Sequence, residues 1–196
     1  LSERLNANRA VKPLDAAVIR LPHISNFTDF MPLEQHELLG VRYVQRAREL
    51  GRPDLVILPG TKNTMEDLLW LRQNGLEAAA LKLAHAGTPI LGVCGGYQML
   101  GQTLDDPQGT ESGRPMALSG LGLLPTRTVF DAQKRRMQVC AAAQGELFGG
   151  ARLTGYEIHN GRTEVGGAPF CVLEDGTPEG CVNRNVFGTY LHGLFD

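Results

Sequence analysis

The chain has 196 residues, of which 42% are hydrophobic and 20% are charged, and its formal net charge at pH 7 is −2. This length supports one domain with a sizeable core, and the composition excludes disordered and fibrous proteins. The small negative charge argues against nucleic acid and membrane partners, and a polar start without any apolar stretch near ~20 residues predicts a cytoplasmic protein that binds small molecules or protein.

The first residues, 1–13, are polar and end at Pro13, so we interpret them as a linker from a preceding domain. The β-branched run "LDAAVIRLP" from residue 14 predicts the first strand, and the aromatic segment "HISNFTDFMP" predicts an ordered loop. A second strand is predicted over 41–44. We expect residues 14–196 to form one domain, truncated at its C-terminal end because the chain stops on the hydrophobic segment "TYLHGLFD".

Strand and helix signals alternate between residues 53 and 94. The apolar run "DLVIL" predicts a buried strand, and the following residues predict a helix with Thr64 and Asp67 as its capping box and Gly75 at its end. A second helix ends at Gly87, and "TPILGV" predicts a third buried strand. Short loops of this kind are typical of a parallel α/β sheet, in which functional groups lie at the carboxyl ends of the strands.

The pattern changes after residue 103. A glycine- and proline-rich loop precedes β-rich segments separated by turns, among them "RTVF", "MQVCAAA", "TGYEIHNG" and "NVFGTYLHG". These segments predict antiparallel strands. We therefore expect an α/β fold with a mostly parallel central sheet flanked by helices, and a β-rich antiparallel extension in the C-terminal half.

The four cysteines match no metal motif, so we expect free thiols and no metal site. Cys94, in "LGVCGGYQML", lies where a predicted strand meets a predicted helix. It is either a small buried residue in a packed turn or a nucleophile on a sharp elbow, for which Gly92, Gly95 and Gly96 leave the necessary room. In the second case, the amides that begin the helix favour the thiolate.

A nucleophilic cysteine also needs donors for the oxyanion. The N–H of Gly95 is the first candidate, because it directly follows the cysteine. The second should come from a neighbouring strand end, and the "LPGTKN" loop around Gly60 and Thr61 has that position. Gln98, in the same predicted helix as Gly95, completes the expected oxyanion- and substrate-binding set.

A cysteine nucleophile requires a base, which is normally a histidine distant in sequence. The chain has five histidines: His23, His36, His85, His159 and His192. His85 ends a predicted helix and His36 lies in a polar stretch, so both have simpler explanations, and His23, His159 and His192 remain as candidates. His192 follows the apolar run "VFGTYL" and, like Cys94, lies where a strand ends. It is either the base or a buried histidine with satisfied hydrogen bonds.

Several long stretches together resemble the glutamine amidotransferase domain of the cobyric acid synthase family: "AVIRLPHISNFTDF", "PDLVILPGTKNT", "LGVCGGYQMLG", "GYEIHNG" and "FGTYLHGLFD". The resemblance covers the chain from about residue 16 to its end. It implies a class I, triad-type glutaminase with a flavodoxin-like fold. It also implies that Cys94 attacks the side-chain amide of glutamine, releasing ammonia, and that His192 is the base.

The resemblance further implies partners for the chain. A preceding synthetase domain would bind ATP and Mg²⁺ and use the ammonia to amidate a corrinoid acceptor, adenosylcobyrinic acid a,c-diamide, in cobalamin biosynthesis. No cofactor is expected in this chain itself. The alternatives are a glutaminase domain that serves cobyrinic acid a,c-diamide synthase or a peptidoglycan-precursor amidotransferase, and a non-catalytic, glutaminase-like binding module.

The sequence departs from the class I pattern after the expected base. Most such glutaminases carry His-Pro-Glu, with the glutamate orienting the imidazole, whereas this chain reads "HGLFD". Glu157 and Asp196 are the candidates to orient His192 instead, and His159 is expected to have a structural or interdomain role. Polar residues of "HISNFTDF" and "PGTKNT" are expected either to hold glutamine or to contact the other domain.

Overall fold

The structure is a computed structural model that describes residues 12–144 and 150–195, without the side chains of 133–136. Most of the expected linker, residues 1–11, and the candidate Asp196 lie outside the described residues. Within the described ranges, no helix has the length and apolar character required to cross a membrane.

Six strands form the central sheet: β1 (Leu14–Ile19), β2 (Leu39–Val44), β3 (Leu55–Leu58), β4 (Ile90–Val93), β11 (Cys181–Asn183) and β12 (Val186–Thr189). Their order across the sheet is β11–β12–β4–β3–β1–β2, and every neighbouring pair is parallel except β11 with β12. All residues of β4 and β12 are buried, as expected for parallel strands that are covered on both faces. The mostly parallel central sheet is confirmed.

The helices are α1 (Met31–Gln35), α2 (Ala47–Leu50), α3 (Thr64–Gln73), α4 (Leu76–His85) and α5 (Gly95–Leu100), and a 3-10 turn covers Phe27–Phe30. The helices predicted before Gly75 and Gly87 are therefore present. The predicted capping box of α3 is wrong, because Asn63 is the N-cap and its side chain accepts a hydrogen bond from the Glu66 amide at 3.1 Å. Asp67 is not free to cap, since its carboxylate binds residues outside the helix.

The remaining strands are β5 (Thr103–Asp106), β6 (Met116–Ser119), β7 (Thr126–Ala143), β8 (Arg152–Val165), β9 (Cys171–Leu173), β10 (Pro178–Glu179) and β13 (Leu191–His192). They form a second sheet in which every pair except β5 with β7 is antiparallel. The β-rich antiparallel character of the C-terminal half is confirmed. The structure adds that the segment "NVFGTYLHG" is divided, since β12 joins the central sheet and β13 joins the second.

Parallel pairing places three chain turns at one edge of the central sheet. Strand β4 lies between β3 and β12, so the residues that follow these three strands emerge side by side. The Cys94 amide, directly after β4, donates to the Thr189 carbonyl at the end of β12 at 2.8 Å. The loop after β3, Cys94 and the crossing to β13 therefore meet at this edge.

Candidate active site

Cys94 lies on the sharp turn between β4 and α5. Its φ and ψ angles are 51° and −111°, and a positive φ is uncommon for a residue with a side chain. A Cβ added at Gly96 would lie 2.0 Å from the Leu58 carbonyl oxygen, and one at Gly95 would lie 2.6 Å from Cγ2 of Thr61. The turn thus requires glycine on the helical side of the cysteine, in agreement with a nucleophile elbow.

The imidazole of His192 and the side chain of Cys94 both lie beside Gly60. A Cβ built on Gly60 would lie 3.2 Å from Cε1 of His192 and 3.6 Å from Cβ of Cys94. Both side chains line one cavity, in which the Cys94 thiol donates to the Ile158 carbonyl oxygen at 3.3 Å. The structure therefore brings together the cysteine and the histidine that the sequence singled out.

A buried carboxylate holds the His192 ring. Nδ1 of His192 lies 2.6 Å from Oδ2 of Asp29, and the two side chains are 1% and 8% exposed. Because a carboxylate only accepts hydrogen bonds, Nδ1 carries the proton and Nε2 keeps its lone pair. The Asn26 amide nitrogen lies 3.0 Å from the same Nδ1, and the Tyr156 ring stacks on the imidazole with centroids 5.3 Å apart. The Asp29 carboxylate fixes the tautomer and the stacked Tyr156 ring fixes the ring plane, whereas the Asn26 amide nitrogen is a donor and cannot accept from Nδ1–H.

The structure gives Asp29 the place for which the sequence offered Glu157 or Asp196. In the ladder between β8 and β13, His192 lies opposite the residue before Glu157. Since successive residues of a strand point to opposite faces, the Glu157 carboxylate is directed away from the imidazole, and it lines a different cavity. The structure does not support an orienting role for Glu157.

Two backbone amides adjoin Cys94, those of Gly95 and Thr61. Gly95 is the first residue of α5, so its N–H has no partner within the helix. The Thr61 nitrogen lies only 3.3 Å from the position that a Gly95 Cβ would occupy. The Gly95 N–H and an amide of the loop around Gly60 and Thr61, which the sequence proposed as the source of the second oxyanion donor, are thus neighbours.

The Thr61 amide owes its direction to a short antiparallel bridge. Thr61 pairs with Ile24, and the two hydrogen bonds of the bridge use the Gly60 carbonyl and the Lys62 amide. In this type of pair, the N–H of the paired residue itself points away from the partner strand. The Thr61 amide is therefore directed away from Ile24 and is available to a ligand.

The cavity that contains Cys94 and His192 has a volume of about 380 Å³, which suits a small polar ligand. Other side chains that line it include Thr61, Lys62, Gln98, Glu111, Ile158 and His159. It therefore offers one carboxylate and one ammonium group besides the catalytic candidates. In the described ranges, no group of three or more His, Cys, Asp or Glu side chains is arranged to hold a metal ion.

Glu111 reaches this cavity from the loop after β5. The loop is ordered around the buried Asp106, whose carboxylate accepts the amides of Thr110, Glu111 and Ser112 at 2.8, 3.0 and 2.8 Å. Burial opposes ionisation of Asp106, but these hydrogen bonds hold its pKa below the ordinary value. Glu111 accepts the Thr64 amide at 2.7 Å, and burial raises its pKa despite that bond.

Gln98 lies in the cavity wall, where internal partners occupy its side-chain amide. Its nitrogen donates to the Asn160 carbonyl at 3.1 Å and contacts the Tyr190 hydroxyl at 3.2 Å, and its oxygen accepts from Oγ1 of Thr64 at 3.1 Å. The Gln98 side chain thus links α5 to α3 and to the second sheet, and it lies in the wall of the cavity.

The other histidines have different surroundings. His159 lines the cavity and stacks on Tyr190 with ring centroids 3.6 Å apart, which agrees with a structural role. Nδ1 of His23 donates to Oδ1 of Asp67 at 2.8 Å, and His23 does not line the cavity. The remaining two, His36 and His85, are exposed, and His85 ends α4 as predicted.

Sequence reasoning missed two residues of the site, Asp29 and Glu111. Asp29 had a signal, because it stands between Phe27 and Phe30 in a segment too aromatic to be a flexible linker. Glu111 lies in a glycine- and proline-rich stretch and had no comparable signal, since only the folded loop brings it to the cavity.

Comparison with known proteins gives consistent results. A family model for the CobB/CobQ-like glutamine amidotransferase domain matches residues 15–196. Cobyric acid synthase of Ruminiclostridium cellulolyticum is 46% identical over 210 residues, covering 100% of this chain and 40% of that protein. The same enzyme of Moorella thermoacetica is 46% identical over 199 residues, covering 93% of this chain and 38% of that protein. The chain therefore spans about two fifths of the length of these curated relatives.

Among solved structures, PurLQS of Thermotoga maritima superimposes with a TM-score of 0.68 at 18% sequence identity, covering 92% of this chain and 87% of that one. A chain described as a glutamine amidotransferase gives a TM-score of 0.66 at 17% identity, covering 92% of both chains. At these identities the likeness shows the fold.

Proposed function

Because the chain belongs to the CobB/CobQ-like family of glutamine amidotransferase domains and has the class I fold, we propose that it hydrolyses glutamine at Cys94. The observation that carries this proposal is the arrangement at one edge of the central sheet. A cysteine on a strained elbow adjoins two backbone amides and an imidazole whose tautomer is fixed by a buried carboxylate. These are the parts that acyl transfer from an amide requires.

The reaction begins with transfer of the thiol proton to Nε2 of His192, the nitrogen that Asp29 leaves with its lone pair. The Cys94 sulfur attacks the amide carbon of glutamine, and the amides of Thr61 and Gly95 donate to the resulting oxyanion. The imidazolium then gives its proton to the leaving nitrogen, and ammonia departs. Water, deprotonated by the same imidazole, attacks the thioester and releases glutamate, which restores the thiol.

Two charged side chains are suited to the amino-acid end of glutamine. Glu111 and Lys62 both line the cavity of Cys94, and their charges are opposite to those of the substrate's ammonium and carboxylate groups. We assign the ammonium group to Glu111, because its carboxylate is anchored by the Thr64 amide in an ordered loop. Lys62, which is exposed, faces the carboxylate.

The ammonia would serve an amidation that this chain does not perform alone. The matched relatives are named cobyric acid synthase and are much longer than the chain. The proposal therefore includes a preceding synthetase region that uses ATP and Mg²⁺ to activate carboxylates of a corrinoid acceptor, adenosylcobyrinic acid a,c-diamide, for reaction with this ammonia. The four free thiols favour a reducing compartment, so we place the reaction in the cytoplasm.

The test compares two nitrogen sources in the complete enzyme. Cys94→Ala and Cys94→Ser should abolish amidation with glutamine and leave amidation with ammonium salts intact, because only the first needs the thiolate. Cys140→Ala is the matched control, since Cys140 is also a free thiol but lies exposed on β7. A glutamine-like diazo-ketone should label Cys94 alone. Loss of both activities in the Cys94 variants, or retention of both, would contradict the proposal.

A further inference from the structure

The carboxylate of Asp67 lies outside the catalytic cavity but is bonded to a loop that enters it. The Asp67 side chain is 0% exposed. Its Oδ1 accepts from Nδ1 of His23 at 2.8 Å, and its Oδ2 accepts the His23 amide at 3.2 Å. The hydroxyl of Thr61 also donates to Oδ2. A buried charge is costly unless it is fully bonded, and here three donors converge on it.

These bonds join the segment after β1 to the loop after β3. Within the bridge described above, the Lys62 amide donates to the His23 carbonyl at 3.0 Å, and the Ser25 amide donates to the Gly60 carbonyl at 2.8 Å. Asp67, in the first turns of α3, binds both strands of this bridge, through His23 on one and Thr61 on the other. The position of Thr61 is therefore set by a charged group of a helix as well as by backbone pairing.

A shift of Thr61 would change the distance between its amide and that of Gly95. Its Cγ2 and its amide nitrogen lie 2.6 and 3.3 Å from the position of a Gly95 Cβ, so the loop and the elbow are packed as closely as a glycine allows. A displacement away from Gly95 would separate the two N–H groups. An oxyanion bound by both would then lose one donor, and removal of one such donor costs about 10²- to 10³-fold in kcat.

We infer that Asp67 and His23 form an anchor that positions the Thr61 amide for the oxyanion. This inference rests on the proposed function, since it assigns the Thr61 N–H to the tetrahedral intermediate. Neither anchor residue touches the substrate, so both are positioning residues. The anchor acts on the transition state and not on ground-state binding, because the oxyanion exists only after Cys94 has attacked.

Asp67→Asn tests the anchor, because the neutral amide has only one accepting oxygen and its nitrogen can bind Nδ1 of His23 only when that ring takes the other tautomer. In the complete enzyme, we expect kcat for glutamine hydrolysis to fall about 10- to 10²-fold, since a misplacement of about 1 Å can cost 10²-fold. The KM for glutamine should stay within a factor of about three. Alkylation of Cys94 by iodoacetamide forms no oxyanion, so its rate should also be preserved. Glu66→Gln, an exposed neighbour in the same turn, is the control.

A second pair of variants avoids changing a buried charge. The His23 side chain is 47% exposed, and His23→Asn can keep a donor near the position of Nδ1, whereas His23→Ala cannot. We expect His23→Ala to lower kcat and His23→Asn to restore most of it, with thermal unfolding temperatures alike in both. This rescue would not follow from a general loss of stability.

Unchanged kcat in Asp67→Asn and His23→Ala overturns the inference. So does an equal fall in kcat and in the alkylation rate, which would show damage to the cysteine and its base. Cys94→Ala distinguishes failure of the anchor from failure of the proposed function. If that variant still hydrolyses glutamine, the proposed function is wrong. If it is inactive while the anchor variants keep full kcat, only the anchor is wrong.

Discussion

Asp29→Asn is the substitution that most directly tests the catalytic arrangement. The Asp29 carboxylate accepts a hydrogen bond from Nδ1–H of His192, with Oδ2 and Nδ1 2.6 Å apart. Both side chains are almost fully buried. An asparagine has nearly the same shape, but its amide can donate to Nδ1 and so favour the tautomer with the proton on Nε2. In that tautomer, the imidazole cannot accept the thiol proton.

The size of the effect follows from the same geometry. A hydrogen bond to a charged group contributes about 1.5–3 kcal/mol, which corresponds to about 10- to 10²-fold in rate when only the stabilisation of the imidazolium is lost. The equivalent change in serine proteases, where the tautomer is also lost, lowers kcat about 10⁴-fold. Because water has little access to this pair, we expect a fall in kcat of about 10² to 10⁴.

The assay measures glutamate release by the complete enzyme, together with ammonia-dependent amidation and the thermal unfolding temperature. Glu157→Gln is the matched control, since it removes the carboxylate that the sequence suggested and leaves Asp29 in place. A change in kcat of less than about threefold in a folded Asp29→Asn enzyme would refute the reasoning. A larger loss in Glu157→Gln than in Asp29→Asn would refute it as well.

Three further predictions concern the cavity and the elbow. Glu111→Gln should raise the KM for glutamine about 10- to 10²-fold with kcat nearly unchanged, because a charge-assisted hydrogen bond to the ammonium group is lost; glutaramate, which lacks that group, should be hydrolysed alike by both enzymes. Because burial raises the pKa of Glu111, the wild-type KM should increase as the pH falls through that raised value, where the carboxylate becomes neutral, and a flat KM profile in this range would argue against the assignment. Gly96→Ala should lower the free energy of unfolding by about 3 kcal/mol or more, since the new Cβ would lie 2.0 Å from a backbone oxygen that cannot yield. The control is Gly40→Ala, whose Cβ would meet its nearest neighbour at 3.5 Å and should lower the free energy of unfolding, measured with denaturant, far less. Equal decreases in the two variants would show that the close contact at Gly96 is relieved.

The parallel half of the fold could be predicted because its signals are local. Apolar runs end at turn residues before Cys94, and the glycines around it have one steric explanation, which the close contact between Gly96 and Leu58 supports. The proposed catalytic pair could be singled out for the same reason, since Cys94 directly follows β4 and His192 comes shortly after the end of β12.

The residues around the pair could not be predicted in this way, because their partners are distant along the chain. Asp29 binds a histidine near the other end of the sequence, so the sequence offered only Glu157 and Asp196 for its place. The register of β8 against β13 decides which face Glu157 occupies, and a shift by one residue would reverse it. Glu111 depends on the loop that Asp106 organises, which no periodicity indicates.

The path of the chain between β12 and β13 has a consequence for how the enzyme can vary. Cys94, the proposed nucleophile, follows a strand of the central sheet, whereas His192 belongs to the second sheet and is reached from β12 through Tyr190 alone. The separation of sulfur and imidazole therefore depends on how the two sheets are held relative to each other. Substitutions between the two sheets, remote from any ligand, should therefore change the reaction rate, because they would shift His192 relative to Cys94.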